Sequence, residues 1–256
     1  MPEQEGVEKM RKRIVFPLVF LAILSPRSTL GQTGDEILKI VEDTINAPGD
    51  RVAYQRITLI DRKGNKKVRE VRTYQKGSEK LLIRFLSPAD VKGVSFLVLS
   101  KNRMYLYMPA FRKVRRIASH IKNENFMGTD FSYEDLAEAK FTEDYTARLV
   151  REESDRYILE IVPRPDADVG YSREILVVEK KSYIPIRSEL YGKDGKLMKV
   201  MRMEGVKKVE GYWMPTKIIM ETVKTGHQTV VELLDIRHDT GLSDAVFTKR
   251  NLKRME

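Results

Sequence analysis

Residues Phe126–Leu136, FMGTDFSYEDL, sit between two runs of strand-like sequence, and their reading decides the fold. Ser132 and Asp135 have the spacing of a capping box, in which each side chain accepts from the other residue's backbone N–H. Phe131 just before the cap and Leu136 four positions after it match a hydrophobic staple. Glu134 and Asp135 put negative charge in the first turn, where the helix dipole favours it. Gly128 supplies backbone freedom upstream and is placed to act as a hinge. The stretch therefore predicts a short helix led by Phe126, Met127, Phe131 and Tyr133 that interrupts a sheet. It reads either as an apolar plug laid over that sheet or as an ordinary crossover helix on a core.

Outward from it, both flanks have the period of strands. Upstream, Val52–Ile60 and Val68–Gln75 enclose a Gly-containing hairpin connection. Lys66–Gln75 is heavily charged and suits a solvated face or edge. In Glu79–Leu86, Leu81, Ile83 and Phe85 share one face. Val94–Ser100 is apolar on both faces, and in Arg103–Met108 the residues Met104, Leu106 and Met108 alternate with polar neighbours. Arg112–Ile117 is a basic strand. Downstream, Ala147–Glu152, Tyr157–Val162, Arg173–Glu179, Ile184–Tyr191, Leu197–Met203, Thr216–Val223 and Gln228–His238 resume the pattern, with Leu242–Asn251 as a tail or short strand. The expected class is mainly β (α+β): a strongly curved antiparallel sheet of about 11–12 strands. A sheet this long must curl, split or be covered. Besides the plug, one amphipathic helix is available, opened by a Thr33/Glu36 capping box with Ile37, Leu38, Val41 and Ile45 along one side. Two short helices across a bent sheet leave a concave apolar interior. Eight methionines in or beside these elements (Met104, Met108, Met127, Met198, Met201, Met203, Met214, Met220) suit a surface that accepts variable apolar ligands, or simply fill gaps in a core.

The N-terminus carries an address. Lys9, Arg11, Lys12 and Arg13 precede an apolar run, Ile14–Leu24, and Thr29-Leu30-Gly31 offers a small-residue cleavage site. Residues 1–31 are expected to be a signal peptide, with Met10 as a possible true start, and residues 32–256 a single domain. The run is too short to span a bilayer as a helix, which needs about 20 residues. The chain has no cysteine, which excludes disulfides, thiolate metal sites, cysteine nucleophiles and lipid attachment. The expected location is the periplasm, as an exported and soluble protein. Its net charge of +10 falls to +8 without residues 1–31, which contain five basic and three acidic side chains. Such an excess favours anionic surfaces such as lipid headgroups. No nucleic-acid recognition module is present.

No catalytic constellation emerges: there is no Gly-x-Ser-x-Gly elbow, His-Glu-x-x-His, P-loop or dinucleotide fingerprint. Asp130, Glu134 and Asp135 form the best carboxylate cluster, and capping accounts for it. The chain is expected to be no enzyme, with no cofactor and no metal. Arg112, Lys113, Arg115 and Arg116 read either as a solvated sheet face or as the candidate contact with headgroups or an acidic partner.

Four blocks carry a resemblance: Ser87-Pro88-Ala89-Asp90-Val91-Lys92-Gly93, Met104–Pro109 followed by Arg112–Arg116, the FMGTDFSYEDL stretch, and Tyr212-Trp213-Met214-Pro215. Together they resemble the LolA-like outer-membrane lipoprotein-sorting proteins over roughly residues 34–252. The resemblance implies a half-open β-barrel whose short helices close a hydrophobic cavity. Its members bind acyl chains of lipoproteins or other lipids and carry them across the periplasm to the outer membrane, without catalysis or cofactor. The cavity is expected to involve Leu81, Ile83, Phe85, Phe96 and Val98, with Met104, Leu106, Met108, Met201 and Met203. The lid is expected to comprise Phe126, Met127, Gly128, Phe131, Tyr133 and Leu136. A sheet arginine latches the lid in true lipoprotein carriers, and Arg56, Arg84 and Arg103 stand equally for that role. The resemblance also implies a transient membrane partner, such as an exporter of the resistance-nodulation-division class. A non-catalytic adaptor of such an exporter is the alternative function.

Overall fold

The chain leaves one edge of its main sheet and re-enters at the other, and that jump forces a connecting segment across the sheet face. The computed structural model describes residues 32–137 and 140–254; the predicted export segment lies outside them. In chain order the elements are α1 (Gly34–Ile45), β1 (Asp50–Ile60), β2 (Lys66–Lys76), β3 (Lys80–Ser87), β4 (Ser95–Ser100), β5 (Arg103–Met108) and β6 (Lys113–Arg116). After them come α2 (Tyr133–Ala137), α3 (Phe141–Asp144), β7 (Tyr145–Glu152), β8 (Arg156–Pro163), β9 (Arg173–Glu179), β10 (Pro185–Tyr191) and β11 (Leu197–Glu204). The last are β12 (Lys207–Val209), β13 (Tyr212–Met214), β14 (Lys217–Thr222) and β15 (His227–His238). Thirteen strands form one curved, unclosed antiparallel sheet in the order β6-β5-β4-β3-β2-β1-β15-β14-β11-β10-β9-β8-β7. Strands β6 and β7 are its two edges, so the segment between them, which contains FMGTDFSYEDL, crosses the concave side.

The thirteen strands of this sheet correspond one for one to the strands named individually from the sequence, against an expected total of about 11–12; β12 and β13 form a separate hairpin rather than a lead into the next strand. Val209 pairs with Tyr212, and the two residues between them, Glu210 and Gly211, have φ of 49° and 92°. Two consecutive positive φ values are the geometry of a type I′ turn, which matches strand twist. A third helix, α3, was not anticipated. The tail also differs from a strand: Asp244–Val246 and Asn251–Lys253 are single 3₁₀ turns. They bring Phe247 and Leu252 onto Leu82 and Leu97 on the convex side, which is why β3 and β4 are apolar on both faces.

Two covers lie on the concave face. The Thr33/Glu36 capping box forms, with Thr33 N donating to Glu36 Oε2 at 2.8 Å and Glu36 N to Thr33 Oγ1 at 3.2 Å. The helix it opens buries Ile37, Leu38 and Val41 against Leu159, Ile161, Leu176 and Val178 of the β7–β9 half. Gly34 permits this approach, because a Cβ there would meet the Ala147 carbonyl oxygen at 2.5 Å. The plug covers the other half, burying Phe126 and Tyr133 against Phe85, Phe96, Met104 and Leu106. Between the covers, over β1, β2, β14 and β15, the concave face remains open.

Candidate functional site: an apolar cavity beneath an anchored plug

Register places the cavity walls. Along β1 the side chains of Arg51, Ala53, Gln55 and Ile57 alternate onto the concave face. Gln75, Thr73 and Val71 stand opposite the first three on β2, and Leu81 and Ile83 continue the rows on β3. On the other side Leu233, Val231, Thr229 and Ile236 come from β15, and Ile218 and Met203 from β14 and β11. The rim is closed by Ile45 at the end of α1, by Ile184, by Met214-Pro215-Thr216, and by Phe126, Thr129, Phe131 and Leu136 of the plug. The cavity, open on one side, has a volume of about 290 Å³. That is the lower end of the range for ligand cavities.

The expected cavity residues divide. Leu81, Ile83 and Met203 line the open space. Phe85, Phe96, Val98, Met104 and Leu106 are buried in the core under the plug, with Met108 packed at its margin. Met201 packs with Phe131 beside Tyr171, Leu190 and Met220. Of the expected lid residues, Phe126, Phe131 and Leu136 form cavity wall, whereas Met127 and Tyr133 pack on the core. Gly128 has φ of 75° and Met127 φ of 50°, so the plug turns through two left-handed residues.

The plug's polar groups anchor it at several points. Its capping box forms, Ser132 N donating to Asp135 Oδ2 at 2.7 Å and Asp135 N to Ser132 Oγ at 3.0 Å. Asp135 also accepts from Lys199 Nζ of β11 at 2.9 Å and from the Tyr171 hydroxyl at 2.7 Å. The Lys199–Asp135 pair is deeply buried, at 3% and 6% side-chain exposure. Asp130, also buried, accepts from the hydroxyls of Thr222 (2.5 Å) and Thr229 (2.7 Å), and His227 Nδ1 lies 2.7 Å from its Oδ2. Glu134 accepts from Gly170 N at 3.0 Å and faces buried Lys122 at 3.7 Å. The carboxylate cluster noted in the sequence is therefore dispersed into three separate anchors. Among the described residues no group of three or more His, Asp or Glu side chains is arranged to hold a metal ion.

One sheet arginine does reach the plug, and it is none of the three expected. Arg69 Nη1 on β2 donates to the Met127 carbonyl at 2.6 Å, with its guanidinium 5.8 Å from the centre of the Phe85 ring. Arg56 pairs with Glu70, Arg84 bonds the Asn251 carbonyl of the tail, and Arg103 bonds Ser100. In the sequence Arg69 is one of four charges on a strand read as solvated; the alternation that puts it on the same face as Val71 was the available signal. The basic candidates Arg112, Lys113, Arg115 and Arg116 are all exposed on or beside edge strand β6, next to exposed Phe111. The Arg115 guanidinium lies 5.9 Å from the Phe111 ring centre.

Beside the Asp135 anchor, Glu174 of β9 is buried with Oε1 unpartnered. Burial, with Asp135 and Glu134 nearby, pushes its carboxyl up to about 8, against a hydrogen bond from Tyr145 that acts the other way. Between pH 4.5 and 8 the folded protein thus holds a proton that the unfolded chain releases. Stability contributed by Glu174 is fully present at low pH and is lost as pH rises toward 8, by at most about 1.4 kcal/mol per pH unit. Glu174→Gln is expected to flatten the decline of Tm between pH 5 and pH 8 and to be the more stable protein at pH 8. Parallel Tm–pH curves for the two would disprove the assignment.

The relatives agree with this architecture. A family model described as that of an uncharacterized protein matches residues 77–254. Among curated proteins none matches the chain. Among solved structures, a Vibrio parahaemolyticus domain described as that of an outer membrane lipoprotein-sorting protein is 30% identical. It covers 86% of this chain and 98% of its own, with a TM-score of 0.80. A DUF1329 family protein from Desulfovibrio piger is 31% identical over 84% of this chain and 96% of its own, with a TM-score of 0.79. A LolA superfamily protein from Nitrosomonas europaea is 26% identical over 86% of this chain and 99% of its own, with a TM-score of 0.73. By its sheet, its crossing plug and these relatives, the chain belongs to the LolA-like outer-membrane lipoprotein-sorting protein family.

Proposed function

We propose that this protein is a periplasmic carrier that takes acyl chains of lipoproteins or other lipids into its cavity and delivers them toward the outer membrane, with no catalytic step. The observation that carries this reading is the apolar space of about 290 Å³ between the sheet and the plug, lined chiefly by aliphatic side chains. Each methylene moved there from water contributes about 0.8 kcal/mol, so an alkyl chain of a dozen carbons is held firmly. Its release then requires either plug movement or transfer to an acceptor that binds more tightly. The basic edge at β6, with Phe111 exposed beside it, supplies a contact for an anionic membrane surface at the donor or acceptor. Among the described residues no helix is long and apolar enough to cross a membrane.

Native mass spectrometry of protein purified from cells tests the reading. The expected spectrum contains a population carrying lipid that is shed on collisional activation. Phe131→Asp, which sets a carboxylate in the cavity wall, is expected to shrink that population. Repeated clean apo masses from cells overturn the carrier and transfer the function to the exporter adaptor, with β6 as its docking edge.

A further inference from the structure

Among the described residues, the cavity contains a cation without a counter-ion. Arg51 Nε and Nη2 both donate to one acceptor, the Gln75 amide oxygen, at 2.9 and 2.6 Å. No carboxylate among the described residues pairs with this guanidinium, and burial alone lowers its proton affinity with no opposing charge to restore it. Glu79, which borders the same space as Arg51, is held by Lys140 at 2.8 Å. Arg51 is half-buried, and a charge drawn partly out of water without a charged partner is costly, so that proteins ordinarily pair it or leave it to a ligand.

Its position is specific. Arg51 and Gln75 lie where the apolar cavity meets a smaller vestibule of mixed polarity, about 100 Å³, that contains Ser78, Glu79 and Lys80. Ile45, Leu81 and Leu136 border both spaces. A molecule with its tail among Ala53, Ile57 and Val231 would thus bring its head to the guanidinium. The planar fork of arginine matches carboxylate and phosphate oxygens in a two-pronged hydrogen bond. The cavity volume suits one alkyl chain better than two.

Resting on the carrier reading and narrowing it, we propose that the preferred ligand is a single-chain amphiphile with an oxyanion head, carboxylate or phosphate, bound to Arg51 at the cavity mouth. A neutral acyl ester would fill the same space and leave the guanidinium unpaired.

Calorimetric titration with dodecanoate, dodecyl phosphate and methyl dodecanoate tests this. The two anions are expected to bind at least about tenfold tighter than the ester, the strength of one hydrogen bond to a charged group. The ratio between the two anions tells which head is preferred. Arg51→Met should bring the anions down to the affinity that the ester has for the same variant, removing the preference. Gln75→Glu supplies an internal carboxylate to Arg51; it should abolish the same preference while raising Tm, which separates the effect from misfolding. Equal binding of all three probes, or a preference that survives in both variants, overturns the role of Arg51 and leaves the carrier standing. Failure of every probe to bind overturns both.

Discussion

Lys199→Met is expected to destabilise the protein by about 3–5 kcal/mol at pH 7, the usual cost of removing one member of a buried ion pair. The reason is what it leaves behind. Asp135 would keep its hydrogen bonds from Ser132 N and the Tyr171 hydroxyl but lose the lysine that neutralises it, with Glu134 and Glu174 close by. Chemical denaturation measures the loss. The double variant Lys199→Met/Asp135→Asn keeps a carbonyl oxygen as acceptor for Ser132 N and turns its amide NH2 to the Tyr171 hydroxyl, which then accepts; with no charge left, it is expected to recover most of the loss. If the two substitutions simply add, the pair is not coupled and the plug is held by packing alone. Because Leu136 follows Asp135 and forms cavity wall, loosening this anchor should also weaken retention of an alkyl ligand.

Much of this architecture is legible from local rules. The two capping boxes, Thr33/Glu36 and Ser132/Asp135, form as their spacing predicts, because each is decided within four residues. Alternation places Leu81, Ile83 and Phe85 on the concave face, since a strand's period is fixed by its backbone. The position of the cavity is a different kind of property. Large apolar side chains at Phe85, Phe96 and Leu106 mark a filled core, and open space arises where opposing residues are short, as at Ala53, Thr73, Thr216 and Thr229. That depends on which strands are neighbours, and the placement of β15 beside β1 joins residues more than 170 positions apart, as in Ile57 opposite Val231. Arg51 and Arg69 are hard to read for the same reason. In sequence Arg51 stands just before the expected strand Val52–Ile60 and Arg69 is one of four charges on the next; alternation assigns each a face, and the neighbouring strands decide that one meets the cavity and the other the Met127 carbonyl.

Phe126→Ala separates a plug that is merely core from one that defines the ligand space. Phe126 is 2% exposed, with ring centres of Phe96, Tyr133 and Phe85 at 5.0, 5.5 and 5.9 Å. Truncating a buried phenylalanine costs about 3–5 kcal/mol, through lost transfer energy and the void left behind. Here that void would open into the existing cavity, because Phe126 is already part of its wall. Two consequences distinguish the variant from ordinary core damage. A bound alkyl ligand should raise Tm by more in Phe126→Ala than in the wild type, since it occupies space the ring has vacated and stabilises only the folded state. The optimum chain length, read from a series of alkyl probes, should also move to longer chains, each added methylene contributing about 0.8 kcal/mol as long as space remains. Phe85→Ala is the control, as Phe85 lies in the same aromatic cluster but outside the cavity wall. If both variants lose stability alike and neither shifts the preferred length, Phe126 acts as core, and the alkyl chain lies farther along the sheet toward Ile218 and Met203.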